Sequence, residues 1–378
     1  MKCRDKDPFF VLLRAGLFEK NDSLSLCDEV DFCKVYHWAE EQSVVGLVAA
    51  GIENLNHNDN ANFEAPQSVA LTLAGEVLQL EQRNKAMNQF IASLISKMWM
   101  AGIYTLLVKG QGIAQCYDKP LWRSCGDVDL FLSDNNYEKA KAFLMPMASS
   151  VEKEYEREKH LGMTINGWVV ELHGRLCGGL SPKIERELDD VYVDAFNGGN
   201  VRSWDNNGVL VLQLGIENDV FYVFTHILQH FYKEGVGLRQ ICDWCRLMWT
   251  YRNEIDVKKI EERIKRAGLV TEWKAFYALA SKYLGMPDLV QGSWLMVHDS
   301  GFYKKADKIM EFILKAGNMG HNRDMSHFRK KPYLVRKCVS MGRRLGDLIN
   351  HARIFPMDSL RFSIAIMYNG VRSALRRE

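Results

Sequence analysis

The chain has 378 residues, 49 of them Lys or Arg and 47 Asp or Glu, for a formal net charge of +2. Its 47% apolar and 25% charged content is that of an ordinary folded, water-soluble protein and excludes a disordered or fibrous chain. The length allows two domains, or one with large helical additions, and no uncharged apolar run reaches the ~18 residues of a membrane-spanning helix.

The first ten residues, MKCRDKDPFF, lack the apolar core and small-residue cleavage pattern of a signal peptide. Nine irregularly spaced cysteines, an odd number, point to reduced thiols and a cytoplasmic setting rather than a disulfide framework. Cys242-x-x-Cys245 falls in a helical stretch with no second pair nearby and reads as structural. The charge is uneven: His321 to Glu378 holds 13 Lys or Arg against 4 Asp or Glu. Such a stretch can bind nucleic acid, anionic lipid or phosphorylated substrate, or form a solvated helix face.

Residues 1 to about 100 read as helices: one short helix from Phe9 to Leu17, another from Asp31 to Ala50, then a polar loop from Asn56 to Pro66. From Ser68 to Met100, Leu73, Val77, Leu80, Met87, Ile91, Leu94 and Met98 recur at three-four spacing. They predict a long amphipathic helix packed on a sheet, its methionines and Trp99 in the core.

The central stretch, Leu106 to Leu132, carries the chemistry. An apolar run, Ile103–Val108, reads as a buried strand leaving into Lys109-Gly110-Gln111-Gly112, with a helix beginning there and running to Tyr117. A helix start presents free N–H groups that suit phosphate, and Lys109 supplies a cation beside it. Asp127-Val128-Asp129 then opens an apolar strand. Residues i and i+2 of a strand share a face, which places the two carboxylates ~6.5 Å apart at Cα. Bare, they repel; a divalent cation with hard oxygen ligands, Mg²⁺ or Mn²⁺, removes the penalty. Arg123 either grips phosphate with its planar fork or pairs with Asp127 or Asp129.

Tyr137–Met147 reads as a helix. Next, HLGMTI-NG-WVVELH alternates around Asn166-Gly167, a two-residue hairpin signal. A tight turn there sets Gly162 opposite Glu171 and His160 opposite His173, with those three polar side chains on one face and Trp168, Val170 and Leu172 on the other. Glu171 is thereby the expected third carboxylate. His160 and His173 would contact phosphate, orient Glu171 or act as a base.

These residues resemble a family. Leu107-x-Lys109-Gly110, Tyr117, Pro120, Arg123, Gly126-Asp127-x-Asp129-Leu130 and Val170-Glu171-Leu172-His173 are similar to the glycine turn and D-x-D signature of DNA polymerase beta-like nucleotidyltransferases, and to a mostly uncharacterised bacterial branch of them. The likeness is good over Leu106–Arg175 and looser to about Leu247. Better-known members carry Gly-Ser or Gly-Gly in the turn, where this chain has Lys-Gly-Gln-Gly.

The resemblance implies an α+β fold: a small mixed or antiparallel sheet flanked by helices, in a catalytic domain at 101–205, with an N-terminal helical region at 1–100 and a large C-terminal helical domain at 206–378. It implies transfer of a nucleoside monophosphate from a nucleoside triphosphate, expected to be ATP, to a hydroxyl acceptor. Asp127 and Asp129 would hold one ion; Asp129 and Glu171 would hold or approach a second, ~4 Å away. Lys109, Gly110, Gln111, Gly112, Arg123, His160 and His173 would line the nucleotide site.

From Arg175 to Asn207 the chain reads as a loop with a short helix at Ile184–Leu188, a candidate lid. An apolar helix from Asn218 to Phe231 puts His226 and His230 on one face, and after the Gly235–Gly237 break Arg239 and Asp243 stand one turn apart, able to pair. Further helices are expected at Val257–Ala267, Thr271–Leu284, Tyr303–Ala316, Tyr333–His351 and Asp358–Arg376. Two other readings stay open: an inactive relative that binds nucleotide or protein, and a nucleic-acid binder using the basic C-terminal helices.

Overall fold

A computed structural model describes residues 7–18, 30–56, 65–233, 235–288, 297, 299–318 and 333–376. Most of the polar loop predicted at 56–66, and the part of the basic stretch at 321–332, lie outside them. The fold is α+β, as expected: a mixed five-stranded sheet flanked by helices.

Three helices come first: α1 (Pro8–Leu17), α2 (Phe32–Glu41) and α3 (Val45–Asn56). The single helix expected over 31–50 is thus two, broken at Ser43, whose positive φ of 55° ends α2. Helices α1 and α3 touch backbone to backbone. A Cβ on Gly51 would overlap the Leu12 carbonyl oxygen, and one on Gly16 the Leu47 carbonyl oxygen. Gly51→Ala should therefore force the helices apart and cost about 1–3 kcal/mol, read as a lower urea midpoint at unchanged slope.

Helix α4 (Gln67–Met100) runs for 34 residues. Of its predicted apolar stripe, Leu73, Val77, Met87, Ile91, Leu94 and Met98 are buried and Leu80 is half-buried; of the methionines and Trp99 expected in the core, Trp99 is half-buried and Met100 is exposed, beyond the last packed turn. From Met87 to Met98 the stripe packs on one face of the sheet, against Leu107, Val128, Leu130, Leu161, Met163, Val170 and Leu172, whereas Leu73 joins the other core.

The sheet runs in the order β1 (Leu106–Val108), β2 (Asp127–Phe131), β5 (Trp168–His173), β4 (His160–Ile165), β3 (Ser150–Val151). β2 and β5 are parallel; the other pairs are antiparallel. β1 is shorter than the expected 103–108, because Thr105 turns its hydroxyl to the Phe131 carbonyl and Tyr104 is exposed. Between the strands lie a five-residue helix, α5 (Gly110–Ala114), and α6 (Asp134–Leu144).

The loop and lid expected at 175–207 are instead packed structure. Helix α7 (Pro182–Phe196) starts on the Ser181 side chain, which caps Ile184 N–H, and buries Ile184, Leu188 and Val191. A second hairpin follows, β6 (Val201–Asn206) and β7 (Val209–Leu214), turning at Asn207-Gly208. It leans on α4 through Asn206, which donates to the Asn88 carbonyl.

Helices α8 (Ile216–Lys233), α9 (Leu238–Thr250), α10 (Val257–Ala267), α11 (Val270–Leu284), α12 (Ser300–Ala316), α13 (Tyr333–Ala352) and α14 (Pro356–Arg376) complete the described chain. The apolar faces of α8–α12 and α14 form one core with α1–α3 and with the sheet face opposite α4. Cys242 and Cys245 lie fully buried on α9, inside that core. No helix of the described residues is long and apolar enough to cross a membrane.

Candidate active site

The site lies on the sheet face turned toward α8, where β2 and β5 run side by side. In β2, Val128 and Leu130 point into the α4 core, so Asp127 and Asp129 point the other way. The parallel register aligns Asp129 with Glu171. The result is three carboxylates, Asp127, Asp129 and Glu171, each with an oxygen within 4.8 Å of the other two. The hairpin register matches the expected one residue for residue, Ile165 with Trp168 outward to His160 with His173.

Asp129 is nearly fully buried and well partnered. Lys109 Nζ lies 2.9 Å and His173 Nε2 2.8 Å from its Oδ1. Burial works against its charge, but Lys109 and His173 outweigh that and hold its pKa below the usual carboxylate range. Asp127 goes the other way: the Asp129 charge and then burial raise its pKa. Glu171 is held far below the ordinary range by His160, 3.1 Å away, and His173, 3.5 Å away. For His173, burial disfavours the charged ring, yet Asp129 and Glu171 raise its pKa overall.

Lys109 reaches the acids at a conformational cost. Its backbone sits at φ 56°, ψ −150°, a region L-residues avoid at about 1–3 kcal/mol. Its ammonium also lies 3.3 Å from His226 Nε2 on α8. Burial, and then the Lys109 charge, hold His226 well below the usual imidazole pKa, so it meets the ammonium as a neutral acceptor.

The rest of the glycine turn divides. Gly110 borders the acids, packed against the Cys125 thiol and the Asp127 carbonyl. Gln111 turns inward instead, donating to Asn84 Oδ1 at 2.7 Å, and Gly112 backs onto Gln213 of β7. Asn84 was not singled out in the sequence. Buried on α4, it donates to the Leu121 and Arg123 carbonyls and so pins the segment leading into Asp127. A buried Asn on an otherwise apolar helix stripe was the available signal.

Arg123 differs from both expectations. It neither pairs with Asp127 or Asp129 nor faces the acids with a free fork. Its Nε and Nη2 bind Asp243 at 3.0 and 2.6 Å, deep between β2 and α9, where Tyr117 also donates to Asp243 at 2.7 Å. The Arg239–Asp243 pair expected along α9 is accordingly not made. Arg239 donates to the Ser124 carbonyl at 2.8 Å, and its Nε is buried without a hydrogen-bond partner among the described residues. Its charge bears on Asp127, and burial lowers its pKa from the ordinary arginine value. Gly162, opposite Glu171, is closely covered: a Cβ there would lie 2.6 Å from the Glu152 carboxylate.

Three hard acids converging from two parallel strands, next to a lysine and an arginine with donor capacity left over, fit a divalent cation and a polyphosphate better than any neutral ligand. Residues 28–285 match the family described as "Uncharacterised nucleotidyltransferase". Among solved structures, the chain is similar to an antigenic nucleotidyltransferase-like protein from Paracoccidioides brasiliensis, at 12% identity over 48% of this chain and 92% of that one, with a TM-score of 0.28. A likeness that slight carries no weight. No curated protein matches the chain.

Proposed function

The chain belongs to the family of uncharacterised nucleotidyltransferases, and on that premise we propose that it moves a nucleoside monophosphate from a nucleoside triphosphate to a hydroxyl acceptor, using Asp127, Asp129 and Glu171 as metal-holding acids. We place it with the polymerase beta-like nucleotidyltransferases, with Mg²⁺ or Mn²⁺ as the ion and ATP as the donor. The supporting observation is the parallel register that sets Glu171 beside Asp129, so that three acids meet.

An ion held by these oxygens would neutralise triphosphate charge and fix the line of displacement. The chain's own residues do the rest. Lys109, whose ammonium lies 2.9 Å from Asp129 Oδ1, would be free to turn to a phosphate oxygen with an ion on that carboxylate. Arg239 takes the phosphate role expected of Arg123, since its Nε has no hydrogen-bond partner among the described residues and its charge bears on Asp127. Asp243 keeps Arg123 out of the site. The division into 1–100, 101–205 and 206–378 goes with this reading: the middle part carries the acids, and the last supplies Arg239 and His226.

The test is thermal unfolding with each of the four nucleoside triphosphates, with and without Mg²⁺. A ligand at a hundred times its Kd stabilises by about 2.7 kcal/mol. The expected result is a shift requiring both metal and one triphosphate, ATP. No metal-dependent shift with any triphosphate overturns the reading. Salt-sensitive nucleic-acid binding that survives loss of both aspartates would support the basic C-terminal helices instead.

A further inference from the structure

We propose that His160, Glu171 and His173 form a second cation position, one that takes a borderline transition ion such as Zn²⁺, Co²⁺ or Fe²⁺ in preference to Mg²⁺. This deepens the reading above, resting on it only for the neighbouring carboxylate position with which it shares Glu171.

The first argument is placement. His160 and His173 are directly opposed across the β4–β5 ladder, and Glu171 stands two residues from His173 on the same face. Both imidazoles turn the same nitrogen, Nε2, toward one atom, Glu171 Oε2, at 3.1 and 3.5 Å. Ligands bound tetrahedrally at ~2.0–2.1 Å lie about 3.3–3.4 Å from one another. The two measured separations bracket that value. The rings are tilted by 42° with centroids 4.8 Å apart, converging rather than stacking flat.

The second argument is a count of protons. His173 Nε2 faces two carboxylate oxygens, Asp129 Oδ1 at 2.8 Å and Glu171 Oε2 at 3.5 Å, and a ring nitrogen carries at most one hydrogen. Glu171 Oε2 is in turn faced by two imidazoles. The proton of His173 Nε2 serves one of those oxygens and not both; a cation among His160, Glu171 and His173 would join that nitrogen to Glu171, with Lys109 still 2.9 Å from Asp129 Oδ1.

The third argument is donor chemistry. Imidazole nitrogens favour Zn²⁺, Fe²⁺ and their neighbours, whereas Mg²⁺ favours oxygen and sheds water reluctantly. The two groups that could hold an ion, Asp127–Asp129–Glu171 and His160–Glu171–His173, differ in this respect and meet at Glu171. None of the three residues is sealed from solvent, with side-chain exposures of 26%, 28% and 12%, so an ion can reach them.

The test uses the full chain, stripped with EDTA and titrated with Co²⁺ while its visible absorption is recorded. The expected result is a saturable d–d band from a nitrogen-ligated ion, retained in excess Mg²⁺ and in Asp127→Asn, and lost in His160→Asn combined with His173→Asn. Unfolding in EDTA checks that the double variant folds. X-ray absorption at the zinc edge of the wild-type protein gives a second readout that needs no variant: two imidazoles in the first shell are expected. A band that survives the double substitution, or a zinc shell without imidazole, overturns the proposal. Absence of any nucleotide response, with the cobalt band intact, would instead count against the transferase reading alone.

Discussion

Asp127→Ala should abolish nucleotidyl transfer and leave the protein at least as stable as before. The two halves of this expectation have one cause. Asp127 sits where the charges of Asp129 and Glu171 raise its pKa, so the folded protein holds it at a cost. Removing it relieves repulsion and takes away one oxygen ligand of the metal. Loss of a single electrostatic element of such a site costs about 10²–10³-fold in rate, and loss of an ion with it should cost more. Asp129→Ala is predicted to behave differently. It would leave Lys109 and His173 without their buried partner and lower stability together with activity. Release of pyrophosphate, alongside unfolding in EDTA, separates the two. Wild-type turnover by the Asp127 variant would remove these acids from the mechanism.

How much of this could be read from the sequence depended on how far apart the partners lie along the chain. The β4–β5 register was legible because Asn166-Gly167 fixes it locally, and with it the shared face of His160, Glu171 and His173. The same signal stood at Asn207-Gly208, between the alternating Val201–Asn206 and Val209–Leu214. It was hidden by its setting, a run of glycines and acids that reads as loop. The parallel pairing of β2 with β5 has no local signature, since nothing in Asp127–Phe131 names a strand some forty residues on. Arg123 shows the limit most clearly. Its charge demanded a carboxylate, two lay within the next six residues, and the fold supplied another from α9, 120 residues away.

That distant pair yields the largest expected effect on stability. Asp243→Ala should destabilise the protein by about 3–5 kcal/mol, because it strands a buried guanidinium. Asp243 and Arg123 are 4% and 6% exposed, so little water reaches the uncompensated charge. The loss is compounded twice: Tyr117 forfeits its acceptor, and Arg123 and Arg239, whose charges already oppose each other, lose the carboxylate that offsets both. Replacing the pair together, Arg123→Met with Asp243→Leu, should recover most of the loss, since an apolar pair of similar volume needs no counter-charge. Urea midpoints at constant slope give the comparison. The same double variant decides what Arg123 does. If it only supports the segment leading to Asp127, the KM for the triphosphate should stay near the wild-type value once stability is restored. A KM raised tenfold or more in a stable double variant, about 1.4 kcal/mol of lost binding, would return Arg123 to the phosphate site and displace Arg239 from it.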